Sequence, residues 1–257
     1  MITLLENIGA LLQRMFLQAG LYPALLLKIL SRMLRPPFFM RQLILQCEEV
    51  GVQSLPVVLL TAIFTGMVLA LQSYIGFHRF GAESMTATVV SLSMLRELGP
   101  VLVGLMVAGR IGASFAAELG TMRVTEQIDA LWTLSTDPVR YLVIPRFLAA
   151  CLMMPLLVVL ADAIGILGGY TISVHALDQN PTVYWNNTFL YLKEIDFYSG
   201  LFKAFVFGMI IGLVGCTEGF YCEGGAVGVG EATTRAVVLS AMSILVGDYV
   251  LTAVIFQ

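Results

Sequence analysis

The chain has 257 residues, of which 58% are hydrophobic and only 12% charged, with a net charge of −3. Soluble domains carry about 25% charged residues, so this composition cannot dress a water-facing globule, and it excludes a soluble enzyme and a disordered chain. Without a basic excess there is nothing to neutralise phosphates, which excludes a nucleic-acid-binding domain.

Residues 1–46 form a zone of their own. Leu5, Ile8, Leu12, Met15 and Ala19 recur at helical spacing, and Arg14, Lys28, Arg32, Arg35 and Arg41 punctuate the rest. The longest uncharged stretch there, Met15–Leu27, is short for a membrane span, which needs about 20 residues. Its pattern predicts amphipathic helices lying in the membrane interface, with the cations near lipid head groups. Pro36 and Pro37 then separate the zone from the rest of the chain.

From Val50 to Phe77 no residue is charged, the clearest transmembrane helix of the chain. A short loop at His78–Glu83 leads to a second span, about 84–117, interrupted by Arg96-Glu97 and Arg110. A polar stretch at 118–140 follows, then a third span at about 141–174 containing Pro145, Pro155 and Asp162. Residues 175–199 are polar and aromatic. The fourth span is about 200–217, a Gly-rich acidic loop covers 218–231, and the fifth span, about 235–256, contains Asp248. The expected architecture is an all-α integral membrane protein, with an interfacial segment at 1–46 and a five-span domain at 47–257. Cys47, Cys151, Cys216 and Cys222 make no CxxC pattern and read as small hydrophobes, so no metal site is expected.

Lys and Arg concentrate on the cytoplasmic side of membrane proteins. With the N-terminal zone inside, the loops 110–146 and 218–235 are inside too. That side then holds ten cations, including Arg110, Arg123, Arg140, Arg146 and Arg235, and the other side only Arg79 and Lys193. The N-terminus is thus expected in the cytoplasm and the C-terminus outside.

Several features carry chemistry. Arg96 and Glu97 lie near the middle of the second span, where each charge costs about 2.5–3.5 kcal/mol. Neighbours on a helix point about 100° apart, so the two need partners on other helices or in a wet cavity. Asp162, Lys203 and Asp248 are further intramembrane charges, and a Lys203–Asp248 pair is one arrangement they allow. Gly104, Ala108, Gly112, Ala116 and Gly120 fall four residues apart, with Gly109, Ala113 and Ala117 alongside, and such small residues let another helix approach closely. In 118–131, Gly120 can close the preceding helix, Thr125 is a fair N-cap, and Glu126 sits in the first turn of a short amphipathic helix. Asp137-Pro138 reads as cap and first residue of the next element. No GxxxxGK[ST] is present, so no P-loop nucleotide site is expected.

The stretches LRELGPV at 95–101, AGRIGA at 108–113 and AELGTMRVTEQIDA at 117–130, with Asp137-Pro138, Pro145-Arg146 and Ala232–Arg235, resemble the MlaE permease family. The resemblance implies a non-enzymatic subunit of an ABC transporter that moves phospholipid between the inner membrane of a Gram-negative bacterium and a periplasmic carrier, maintaining outer-membrane asymmetry. It implies a homodimer with two cytoplasmic ATPase subunits that bind ATP and Mg, a STAS-domain protein and a periplasmic MCE-domain hexamer. It further implies a coupling helix at about 122–132 that meets the ATPase through Met122, Arg123, Thr125, Glu126, Gln127 and Asp129, and a lipid cavity with Leu69, Gln72, Tyr74, Arg96 and Glu97 as candidate lining. The competing reading from the residues alone is an ion-coupled secondary transporter using the intramembrane charges.

Overall fold

The computed structural model describes Leu17 and residues 20–33 and 39–256. Leu5, Ile8, Leu12, Met15, Ala19, Arg14, Arg35, Pro36 and Pro37 lie outside them. A helix at 20–33 (α1) is followed by α2 (Met40–Val50), which a single turn at Val52–Ser54 joins to α3 (Leu55–His78). The second long helix is made of α4 (Thr86–Ser93), α5 (Gly99–Val107) and α6 (Ala113–Val124), joined by π-turns at Met94–Leu98 and Ala108–Gly112. Then come α7 (Gln127–Thr133), a π-turn at Val139–Val143 running into α8 (Ile144–His175), α9 (Pro181–Leu190), α10 (Glu194–Phe220) and α11 (Gly225–Phe256). Five helical stretches are long and apolar enough to cross a membrane: Met40–His78, Glu83–Val124, Val139–His175, Glu194–Phe220 and Gly225–Phe256. No strand occurs among the described residues, and helices are what hydrocarbon favours, because they pair most backbone groups internally.

The spans alternate in direction, which gives the bundle two ends. One carries α1, α2, α7 and the α10–α11 turn; the other carries α9 and the end of α11. α8 and α10 are central. α8 packs along α3 and α10, and α10 also meets α6 and α11. α11 is the least covered span. Leu245, Tyr249 and Val254 lie exposed along it.

Backbones meet closely where the small residues stand. A side chain at Gly66 would run into the Gly165 carbonyl, where α3 crosses α8, and one at Gly208 into the Ala150 carbonyl, where α10 crosses α8. The five-rung ladder of the second long helix faces α10 and α11: Gly104 lies against Phe207 and Ile244, and Gly112 against Ile211 and Ser240. Gly109, on the parallel ladder, faces open space.

One boundary differs from expectation. Gly120 does not end its helix: α6 continues to Val124, and Gly120 packs against Cys222 and Val229. The polar and aromatic connection at 175–199 holds a helix of its own. Asn180 accepts hydrogen bonds from the Thr182 and Val183 amides and Pro181 takes the first turn, so α9 starts there.

A Gly66→Val substitution should therefore lower the thermal midpoint of the purified chain, by overpacking of about 1–3 kcal/mol. Gly76→Ala, where no described residue lies within contact distance, should leave it unchanged or slightly raised, because Ala favours the helix. Equal midpoints for the two variants would contradict the crossing.

Candidate functional site: a buried charge cluster and a short helix at the opposite end

Pro100 has no N–H to give the Arg96 carbonyl four residues earlier. That carbonyl is instead taken by Lys203 of α10, whose Nζ lies 2.9 Å away. The same ammonium donates to Glu97 Oε2 at 2.6 Å and to Thr252 Oγ1 of α11 at 2.7 Å. Its three protons are then used. Asp248 Oδ1 stands 2.9 Å from the nitrogen as an ion-pair contact without an aligned hydrogen bond. Lys203 has no exposed side-chain surface, whereas Glu97 keeps 36%. Arg96 points the other way round the helix. It binds Asp196 in the first turn of α10, at 2.8 Å from Nε, and lies over the Phe256 ring at 4.6 Å. Asp196 is fully buried and also accepts from the Lys193 amide.

The cluster thus joins the Met94–Leu98 π-turn, α10 and α11, about two turns to the α9 side of the middle of the span. Asp162 does not join it, a correction to the expected charge pairing. Its carboxyl is buried against Gly99, and its Oδ1 has no partner among the described residues. The five candidate cavity residues are not gathered in one chamber of the chain. Leu69 packs on Ala70, Val90 and Met94, Gln72 is exposed, Tyr74 stacks on His78, and Arg96 and Glu97 are held by their ion pairs. A narrow apolar crevice of about 10 Å³, room for about one water, lies beside them, lined by Thr61, Met94, Leu98, Gly99 and Met106 among others.

At the opposite end, Met122 packs on the core and the short helix begins later than expected. Thr125 does not cap it: its hydroxyl donates back to the Thr121 carbonyl. The chain reverses at Glu126, held at φ 59°, and a second left-handed residue, Ser135 at φ 56°, follows the helix. Non-glycine residues rarely adopt this conformation. Here the two bracket α7 and set its angle. Arg123 bridges to Asp129 at 2.7 Å across the turn, and Gln127 donates to Thr125 Oγ1. Ile128 is buried while Trp132 and Leu134 are 52% and 72% exposed. Asp137 caps the next turn by accepting from the Val139 amide, and it also holds Arg32 of α1 through both oxygens, at 2.7 and 2.6 Å.

Sequence reasoning missed three ties at this end. Arg146 binds Glu118 at 2.6 Å, and Ser114 lies 3.0 Å from both Glu118 and Glu49. Arg110 reaches the α2–α3 joint through the Glu49 carbonyl, Ser54 and Gln53. Tyr22 of α1 and Arg235 of α11 meet on Glu218, and burial together with that carboxylate pushes the Tyr22 phenol up from its ordinary pKa. Opposite charges were visible at 118, 146, 218 and 235, but which share a level depends on helix register, which the sequence does not give.

Lys203→Met should destabilise the chain toward the lower end of the about 3–5 kcal/mol lost when a buried pair loses one partner, since Glu97 can turn to solvent. Adding Glu97→Gln and Asp248→Asn should recover part of the loss. Thermal melting of the three variants checks this, and a triple variant less stable than Lys203→Met would contradict the cluster.

Residues 43–254 match the family described as Permease MlaE. A probable ABC transporter permease protein of Rickettsia felis is 57% identical over 227 residues, covering 88% of each chain. Another from Rickettsia bellii is 51% identical over 257 residues, 100% of this chain and 99% of its own. The intermembrane phospholipid transport system permease protein MlaE of Haemophilus influenzae is 38% identical over 217 residues, 83% and 82% of the two chains. The five-span bundle, the charge cluster behind the Gly99-Pro100 step and the short helix following Glu126 are therefore those of a member of the MlaE permease family.

Proposed function

We propose that this permease is the membrane subunit of an ABC transporter that moves phospholipid between the inner membrane and a periplasmic carrier. The observation that carries the reading is α7: a short helix fixed at both ends, with one buried residue and an exposed Trp132–Leu134 edge. It is suited to receive a push and too short to do anything alone. ATP and Mg would be bound by two ATPase subunits docked there, which places α7 and α1 in the cytoplasm and α9 and the C-terminus in the periplasm. Met122, Arg123, Thr125, Glu126, Gln127 and Asp129 form or flank the docking edge. A STAS-domain protein on the ATPases and an MCE-domain hexamer on the periplasmic face complete the assembly.

The phospholipid substrate is supported by the name of the Haemophilus relative. Homodimerisation is supported by the uncovered face of α11 and by Gly109, beside which no described residue lies within contact distance. A chamber between two copies would let Leu69, Gln72 and Tyr74 of α3 line the lipid path, with Arg96 and Glu97 bracing its wall.

Glu126→Lys, which keeps a long side chain at a solvated turn, should leave the thermal midpoint unchanged. It should lower ATP-dependent lipid transfer by the reconstituted complex about tenfold, the equivalent of about 1.4 kcal/mol of lost coupling. Transfer at the parent rate would count against the docking role.

A further inference from the structure

We propose that α9 is an in-plane anchor whose aromatic face is buried in the headgroup–acyl boundary of a phospholipid leaflet. One face of this helix is committed to the protein. Tyr184 and Thr188 are 3% and 1% exposed. Thr88 and Ser91 of α4 donate to the Asn187 and Thr188 carbonyls at 3.0 Å, and Asn187 donates to the Ser84 carbonyl at 3.0 Å. Gln179, just before α9, donates to the Glu83 carbonyl. The helix is thus riveted to the start of α4, and its other face points in a fixed direction. The flank of α9 beside α8 carries Trp185 and Phe189, one turn apart and about half exposed, while Val183 lies on the other flank and exposed Asn186 between them.

Its depth follows from α8. With the π-turn that leads into it, that helical span has 37 residues, about 55 Å at about 1.5 Å per residue, against a hydrocarbon core of about 30 Å. Centred, it overshoots by about 12 Å at each end. Tyr170 lies five residues before the end, about 7.5 Å inward. The Trp185 ring sits against Tyr170, with centroids 6.0 Å apart, and Phe189 stacks edge-on to Trp185 at 5.2 Å. The indole thus lies within about 5 Å of the hydrocarbon edge, in the interfacial layer that Trp and Tyr favour. Leu167 of α8 and Ile195 and Phe202 of α10 are likewise apolar and exposed on the two spans that flank α9 in the chain. The charged groups nearby, Asp178, Lys193 and Glu194, lie beyond the ends of the helix and not on this face. The consequence is positional. The membrane surface fixes α9, α9 fixes the start of α4, and α4 leads directly into the π-turn that presents Arg96 and Glu97.

The chain has two tryptophans, and Trp132 lies at the opposite end, so Trp132→Phe leaves Trp185 as the only reporter. The full-length variant in nanodiscs of phosphatidylcholine brominated near the headgroup end or near the methyl end of the acyl chains reads the depth of that side chain. Both leaflets carry the label, so the readout does not depend on orientation, transport or partner subunits. The expected result is blue-shifted emission, at least about twofold stronger quenching by the shallow bromines than by the deep ones, and little quenching by aqueous iodide. Strong iodide quenching without bromolipid quenching would place the face in water, free for a protein partner, and would overturn the proposal. Stronger quenching by the deep bromines would overturn it as well. A second reporter, Phe189→Trp in a Trp132→Phe, Trp185→Phe chain, should repeat the shallow pattern and guards against a local effect of one site.

Discussion

A lysine ammonium with no exposed surface, among helices whose outer faces are solvated by hydrocarbon, must have every proton satisfied or it is not tolerated. Lys203 meets this condition with donors to a carbonyl, a carboxylate and a hydroxyl on two other helices. Pro100 has no N–H to compete for that carbonyl, so the proline that weakens one helix leaves an acceptor open to another. Three helices are thereby fixed in register by one atom. Thr252 reinforces this. It accepts from Lys203, and its single proton is directed at Glu97 or the Asp248 carbonyl.

The cluster can work only if the helices are close enough for short polar contacts, and glycine makes them so. Gly200 lies against the Leu95 backbone beside the cluster, and Gly208 against Ala150 two turns further along α10. In hydrocarbon there is no gain from hiding apolar side chains from water, so close packing and internal polar bonds must hold the bundle. Where both run out, the surface is open to lipid or to another chain, as along α11.

The sequence was informative where one residue type had one physical use. The uncharged run from Val50, the small-residue ladder, the Asp137 cap and the need of Arg96 and Glu97 for partners on other helices were all legible, because each follows from period, composition or the cost of burial. Register across the bundle was not. Nothing local says that Arg96 meets Asp196, or that Asp162 faces Gly99 and not a cation. Thr125 illustrates a different failure. It is a good capping residue by type, yet its hydroxyl returns to Thr121, because Glu126 makes the turn in a left-handed conformation that propensity disfavours. Such strained positions are set by the tertiary structure around them.

The two ends of the bundle are tied differently, and the difference has a mechanical meaning. At the α9 end the ion pairs run between spans, so they resist sliding of one span past another. At the α7 end ion pairs also join spans, Arg146 to Glu118 and Arg235 to Glu218, and there α1 is tied in as well, through Arg32 to Asp137 and Tyr22 to Glu218. Asp137 is the meeting point. It caps the turn that starts the third span, stands four residues beyond α7, and grips α1 with both oxygens. A force applied to the exposed edge of α7 is therefore shared between α8, which leads to the centre of the bundle, and α1, which lies against the Glu218–Arg235 pair of the last two spans. Neither path passes through the charge cluster. The cluster therefore need not break for a force on α7 to reach the centre of the bundle.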